Sequence, residues 1–227
     1  MKTVTLIILF LFYLNVSSGQ SVIGLAAGPN YSVIPYTTYY DVADADSKFS
    51  YTVGSSFTAP LYKHFSYSVG INFNRLDSHI TAHESSASHH TIEDIDLSLG
   101  FVALNVMPQF SFGNKKSFYI KAGGYFSVLA KSKESGTYET FVVNGDHHQG
   151  KINRDARNDY EDFDYGLAFN TGVRLKFDEV SWFVVQTGYN LGLYKYNQVG
   201  SNIRNVKNSG FKSAYFLLGF DFKLGPK

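Results

Sequence analysis

The sequence predicts an all-β protein, an eight-stranded antiparallel up-and-down transmembrane β-barrel. Segments in which large apolar residues alternate with small polar ones recur along the chain, and this period of two is typical of β-strands. Aromatic residues make up 17% of the sequence, with 17 Tyr and 20 Phe. The polar positions are mostly Gly, Ser, Thr and Asn rather than the charged residues that a soluble sheet turns to water. Small polar residues suit a narrow barrel interior, and apolar ones suit contact with lipid.

Length and composition exclude several classes of function. The chain has 227 residues, enough for one domain. Its net charge of +1 provides no basic surface for nucleic acid. It contains no cysteine, which excludes disulfides and thiolate metal sites and is compatible with a bacterial envelope protein.

The N-terminus has the features of a secretory signal peptide. Lys2 precedes an apolar run at residues 4–14, and the small residues Ser17 and Gly19 follow. The run is far shorter than the ~20 apolar residues of a membrane-spanning helix. We therefore expect residues 1–19 to be a signal peptide and residues 20–227 to form the β-barrel domain.

The first three strands show the pattern most clearly. Residues 22–33 alternate small and large side chains, and a polar loop is expected at residues 34–48. Residues 49–61 and 65–74 then show the alternation twice, with a short break between them that carries Pro60 and Lys63. Two such runs joined tightly predict an antiparallel hairpin.

The fourth strand, at residues 95–112, follows a predicted loop at residues 76–94 and changes its pattern. Leu97 and Leu99 lie on one side, whereas Leu104 and Val106 lie on the other. A change of phase of this kind predicts a β-bulge or a one-residue shift near residues 102–104.

The rest of the chain completes the barrel. The longest predicted loop, at residues 131–161, separates the fifth and sixth strands, and another loop, at residues 195–210, precedes the last strand. Connections are long after odd-numbered strands and short after even-numbered ones, which is typical of outer-membrane barrels with short periplasmic turns. Both termini are then expected on the periplasmic side. The last four strands are predicted at residues 118–130, 163–177, 180–194 and 211–224.

Four of these segments carry a resemblance to a known family. VIGLAAGPNYS, FYIKAGGYFSVL, DYGLAFNTGVRL and AYFLLGFDFKL together resemble the outer-membrane β-barrel domain family of Bacteroidota, the PorT-type barrels. The resemblance covers essentially the whole mature chain. It implies an eight-stranded barrel in the outer membrane and suggests a role as an accessory subunit of a secretion machinery.

Histidines are the first candidates for a chemical site. Six of the seven fall in two predicted loops, and closely spaced imidazoles could bind zinc or copper. We favour solvated loop residues, because neither Cys nor a regular helix is present to fix a tetrahedral site. No metal ligand and no cofactor are predicted. The six are His79, His83, His89, His90, His147 and His148.

A lipid-modifying enzyme is the main alternative class of protein. His64 is the only histidine near a predicted strand, and it is expected at a periplasmic turn beside Lys63. The outer surface has no comparable histidine on a strand with an obvious Ser partner. We therefore predict no catalytic residue and a protein that is not an enzyme.

Charged residues on the inward face predict a packed interior. Eight strands leave a lumen only wide enough for side chains, so we favour a plug of salt bridges and hydrogen bonds over a charge-lined pore. Lys121, Arg174 and Asp221 fall in the same, periplasmic half of the barrel. The predicted inward charges are Lys121, Asp164, Arg174, Lys176, Asp221 and Lys223.

The function predicted from these features is that of a non-enzymatic outer-membrane barrel whose external loops bind a partner or maintain the envelope. Residues 131–161 are expected to be the most exposed and mobile part, at the cell surface, because they have little apolar content to bury. Expected partners are outer-membrane lipid and the barrel assembly machinery, with other envelope proteins as further candidates and no nucleic acid.

Overall fold

The described part of the chain is all-β and contains nine strands. The computed structural model describes residues 20–33, 42–113, 116–155, 157, 160, 162–193 and 211–224, so the predicted signal peptide lies outside the described residues. No helix in these ranges is long and apolar enough to cross a membrane. The strands are β1 (Val22–Val33), β2 (Val42–Tyr62), β3 (Phe65–Ser85), β4 (His89–Phe112), β5 (Lys116–Val142), β6 (His147–Arg154), β7 (Phe163–Lys176), β8 (Ser181–Gly192) and β9 (Lys212–Lys223).

Eight of the strands form a closed ring. The order is β1–β2–β3–β4–β5–β7–β8–β9, every pairing is antiparallel, and β9 pairs back onto β1. Closure pairs the backbone groups of the wall, which is the condition for a sheet to cross lipid. The predicted eight-stranded up-and-down barrel is therefore confirmed, and β6 is an additional ninth strand.

The side chains of the wall alternate as predicted. In β7, buried positions inside the barrel alternate with exposed apolar positions on the outside. The buried residues are Asp164, Gly166, Ala168 and Asn170, and the exposed ones are Phe163, Tyr165, Leu167 and Phe169.

The two ends of the barrel differ. At one end, called here the turn end, β2–β3, β4–β5 and β7–β8 are joined by short connections, and the first and last strands begin and end. At the opposite end, called the sheet end, β2 to β5 continue past the ring and β6 is added.

The continuation at the sheet end corrects three of the predicted loops. Residues 42–48 belong to β2, residues 76–85 and 89–94 to β3 and β4, and residues 131–142 to β5, while residues 147–154 form β6. Residues 34–41 and 194–210 lie outside the described part of the chain. The polar composition suggested loops, but strands that stand in water also carry polar side chains, and Thr, Tyr, Phe and Val favour strands.

These continuations form one five-stranded sheet, called here the projecting sheet. It consists of residues 42–48, 77–85, 89–98, 133–142 and 147–154, in the order β2–β3–β4–β5–β6.

The predicted bulge in β4 is wrong. Alternate residues of β4 stay buried from Ile95 to Gln109 without a change of phase. The register shift lies instead in β5, where Lys131 pairs with Gly100 and Leu129 pairs with Phe101, so that Ala130 is the extra residue. The surroundings of the β4 side chains change along the strand instead. Near the sheet end the inward side chains are apolar, and the outward side chains no longer contact lipid.

Candidate functional site

Charged and polar side chains fill the turn-end half of the barrel. Arg174 Nε lies 2.6 Å from Asp221 Oδ2, and both side chains are almost fully buried. The Arg174 guanidinium also lies over the ring of Tyr119, 4.7 Å from its centroid, and the Tyr119 hydroxyl donates to Gln186 Oε1 at 2.9 Å. We call these residues and Lys121 the polar core.

Lys121 belongs to this group because its ammonium group also lies over the ring of Tyr119. Its Nζ lies 5.2 Å from the ring centroid, and the residue is only 6% exposed. Among the described residues it forms no ion pair, because Asp221 is engaged by Arg174. The prediction that Lys121, Arg174 and Asp221 lie together in the interior is confirmed.

The other predicted inward charges are separate from the polar core. Asp164 is buried towards the sheet end and accepts a hydrogen bond from the Tyr125 hydroxyl at 2.6 Å. Lys223 lies near the turn end, with Nζ 5.5 Å from the centroid of the Trp182 ring. Lys176 is exposed rather than buried, because it is the last residue of β7.

An apolar cluster fills the mouth of the barrel at the sheet end. The rings of Phe101 and Phe211 lie 5.2 Å apart, and Leu99 and Leu129 are fully buried. Sequence reasoning missed this cluster, although the apolar odd positions of β4 were a signal for it. The mouth cluster consists of Leu76, Ile80, Ile95, Leu97, Leu99, Phe101, Leu129, Tyr160 and Phe211.

A buried carboxylate holds β6 and the following segment against this cluster. The Glu134 side chain is 5% exposed and accepts a hydrogen bond from Arg154 Nε at 2.8 Å. The Tyr160 hydroxyl donates to the other oxygen of Glu134 at 3.4 Å. Ser132 adds a hydrogen bond to Asp155 at 2.6 Å. The mouth is therefore closed by apolar packing that polar contacts reinforce.

Two small cavities lie in the interior between the described residues. A cavity of about 40 Å³ borders the polar core, and another of about 20 Å³ lies between Asp164 and the mouth cluster. By the same measure of volume, one water molecule needs roughly 10–15 Å³. These cavities can therefore hold a few small molecules, but they do not form a continuous aqueous channel. The described interior matches a plug, not a pore.

One histidine of the projecting sheet lies in a charge network on its outward face. His79 Nδ1 is 2.9 Å from Asp96 Oδ1, and His79 Nε2 is 3.5 Å from Asp94 Oδ1. Lys48 Nζ also contacts Asp96, at 2.5 Å. The hydrogen bonds from Lys48 and then His79 lower the pKa of the Asp96 carboxyl.

The remaining histidines of the projecting sheet lie near its tip. The rings of His83 and His90 stack with centroids 6.1 Å apart, and that of His147 stacks on Phe141 at 4.6 Å. His89 contacts Ser86 Oγ at 2.8 Å. Within the described ranges, no three His, Asp or Glu side chains converge on a point that could hold a metal ion.

His64 lies at the turn end, far from the projecting sheet. Its Nδ1 is 3.0 Å from the carbonyl oxygen of Ser111, and its ring is 5.9 Å from that of Phe110. A backbone carbonyl is not a nucleophile, so this contact does not make the Ser and His pair of a hydrolase.

The outer side of β6 is one edge of the projecting sheet. In the turn before it, Gly145 has φ +93° and its N–H donates to Val142 O, while the Val142 N–H donates to Asp146 O. Val142 and Asp146 thus form a hydrogen-bonded pair, and hydrogen-bonded and non-hydrogen-bonded pairs alternate from there along the antiparallel β5–β6 ladder. The N–H and C=O groups of Gln149 and Lys151 therefore point away from β5. No described strand pairs with β6 on that side.

A closed antiparallel ring with an apolar exterior and a packed polar interior defines an integral outer-membrane β-barrel protein. The sequence confirms this class, because a model of the outer membrane protein beta-barrel domain matches residues 15–198, more than half of the chain. The protein belongs to this outer membrane protein beta-barrel domain family, which places it in the outer membrane.

A solved structure shows the same fold. The outer membrane protein OprG from Pseudomonas aeruginosa aligns with a TM-score of 0.51 and 10% identity, covering 92% of this chain and 97% of that one. Neisserial surface protein A aligns with a TM-score of 0.47 and 14% identity, covering 91% and 98%. At identities this low, structural similarity shows a shared fold and nothing about function. No curated protein matches the sequence of this chain.

Proposed function

We propose that the protein is a non-enzymatic outer-membrane protein that binds an extended polypeptide segment at the cell surface. The free edge of β6 supports this function best. An unpaired edge strand presents a row of N–H and C=O groups to which another chain can add as a further strand. Exposed Phe141 and Val143, close to the start of β6, would add apolar contacts.

The closed interior supports a binding role over transport. The mouth cluster occupies the sheet end, the polar core occupies the turn end, and the cavities between them hold only small guests. A barrel filled in this way acts as a rigid support for what projects from it. Binding sites are commonly carried on such supports.

We further propose that the sheet end is external and that the turn end and both termini are periplasmic, because short turns are typical of the periplasmic side. The native chain has no cysteine, so single cysteines can report its orientation. In intact cells, we expect a membrane-impermeant maleimide to label Ser88→Cys at the tip of the projecting sheet. Lys63→Cys, at the β2–β3 turn, should react only after the outer membrane is permeabilised. Labelling of Lys63→Cys alone in intact cells would mean that the topology is inverted.

The binding function is tested by removing hydrogen-bond donors from the free edge. Proline lacks the N–H and is tolerated on edge strands, so Gln149→Pro with Lys151→Pro alters this edge while the β5–β6 ladder remains. We expect purified wild-type protein to bind some peptides in an array of extended segments with alternating apolar and polar residues. The proline variant should bind them at least about tenfold more weakly, a loss of about 1.4 kcal/mol.

The matched control is Gln149→Ala with Lys151→Ala, which removes the same side chains and keeps the backbone donors. It should bind as the wild type does, and all three proteins should show the same heat-modifiable migration. Equal binding by the proline variant and the wild type, or no binding to any peptide, would rule out this edge as the site.

The resemblance to PorT-type barrels of Bacteroidota supports a second candidate, an accessory subunit of a secretion machinery. Stable co-purification with other envelope proteins would favour it. A lipid-modifying enzyme remains a third class, and a changed lipid A acylation pattern in His64→Ala cells would favour that. Outer-membrane lipid and the barrel assembly machinery are proposed partners in each case.

A further inference from the structure

We propose that the barrel interior binds a small monovalent anion, of the size of chloride, in the cavity beside Lys121. This site is separate from the free edge of β6 and does not depend on the proposed function. The cavity has a volume of about 40 Å³ and is lined by side chains of the polar core together with small and amide side chains of neighbouring strands.

The first argument is the balance of charge around the cavity. Lys121, Arg174 and Asp221 all border it. Arg174 and Asp221 neutralise each other at 2.6 Å, whereas Lys121 has no ion-pair partner within the described ranges. The three side chains therefore leave one positive charge at this cavity. A buried charge without compensation is strongly unfavourable in a medium of low dielectric constant.

The second argument is an unused hydrogen-bond donor that borders the same cavity. Asn105 borders the cavity and is 3% exposed, and its Nδ2 has no hydrogen-bond partner among the residues that the structure describes. Buried donors are nearly always paired with protein or with an ordered molecule. The Lys121 ammonium and the Asn105 amide both donate hydrogen bonds, so they require an acceptor, and a negatively charged acceptor would also remove the excess charge.

The size of the cavity selects the kind of anion. On the scale where one water needs roughly 10–15 Å³, the space accommodates one halide ion with a water or two. An organic phosphate or a lipid headgroup is too large. A few waters alone would satisfy Asn105 but would leave the charge of Lys121 uncompensated.

The test measures the stability of the purified barrel in detergent as sodium gluconate is exchanged for sodium chloride or bromide at constant ionic strength. A ligand that binds only the folded state raises stability by an amount that grows with its concentration. We expect the unfolding midpoint of the wild type to rise with halide and to show no such rise with phosphate. Lys116→Met, an exposed lysine on the same strand as Lys121, should respond as the wild type does.

Two variants separate the proposal from its alternatives. Lys121→Met should abolish the halide dependence. Asn105→Asp, which is nearly isosteric, places a carboxylate in the wall of the cavity that Lys121 also borders and should give a folded barrel that no longer responds to halide. Crystals grown in bromide should show an anomalous peak in the cavity beside Lys121 Nζ. Equal stability of the wild type in gluconate and halide, or an undiminished halide response in Asn105→Asp, would show that the cavity holds only water or that Lys121 is neutral.

Discussion

Asp221→Asn is expected to lower the free energy of unfolding of the barrel by about 3–5 kcal/mol, the usual effect of removing one partner of a buried ion pair. The change leaves both Arg174 and Lys121 positively charged in the interior. Unfolding by urea in detergent micelles, followed by the fluorescence of Trp182, measures the effect. Trp182 is the only tryptophan, and it pairs with Asp221 across β8 and β9. A gluconate buffer keeps halide from compensating the added charge.

The matched control for this change is Asp162→Asn. Asp162 pairs with Arg157 at 3.4 Å, but these side chains are 68% and 54% exposed. Exposed ion pairs contribute about 0–1 kcal/mol, so this variant should unfold almost as the wild type does. If Asp221→Asn also changed stability by less than about 1 kcal/mol, the polar core would not be the stabilising plug described above.

Leu99→Ala is expected to cost about 2–5 kcal/mol, the range for deleting a large side chain from a packed core. Leu99 is fully buried in the mouth cluster, so the truncation removes contacts and leaves a cavity. The measurement is the unfolding of the barrel in SDS, where the folded and unfolded chains migrate differently.

Leu104→Ala is the control on the same strand. Leu104 lies on the outer face of the wall, 47% exposed, and in SDS it stays in apolar surroundings whether the chain is folded or not. We expect a change of less than about 1 kcal/mol, as for most surface substitutions. Equal losses for the two leucines would mean that the inward face of β4 is not a packed core.

The strands that lie in the membrane could be predicted from the sequence because lipid and a narrow interior impose opposite demands on alternate residues. The predicted bounds of β1 agree with the structure, and those of β7 differ by one residue. The inward positions of Lys121, Arg174 and Asp221 followed from the same alternation.

The projecting sheet could not be recognised in this way. Residues 131–142 stand outside the lipid, where the outward side chains need not be apolar, so the alternation that identified the wall is absent. The bulge was misplaced for a related reason. The apolar side of β4 changes between Leu99 and Val102 because its surroundings change, and the sequence alone does not distinguish that from an inserted residue such as Ala130 in β5.

Two features of the interior depend on tertiary structure. The mouth cluster brings together residues from β3, β4 and β5 with Tyr160 and Phe211, and no local pattern joins these segments. The unpaired state of Lys121 depends on which cation Asp221 contacts. The sequence shows the three charged residues but not which of the two cations pairs with Asp221.

The length of β4 sets the distance at which the protein can meet a partner. β4 has 24 residues, whereas a tilted strand needs only roughly 9–11 to cross the hydrocarbon core. The apolar outward residues begin at Val102, so the preceding half of the strand extends beyond the bilayer. At about 3.4 Å per residue and a tilt near 45°, that half would hold the tip of the projecting sheet about 30 Å above the lipid. Because this support is continuous with the barrel wall, a bound partner would be held at a nearly fixed height and orientation, with little freedom to approach the membrane.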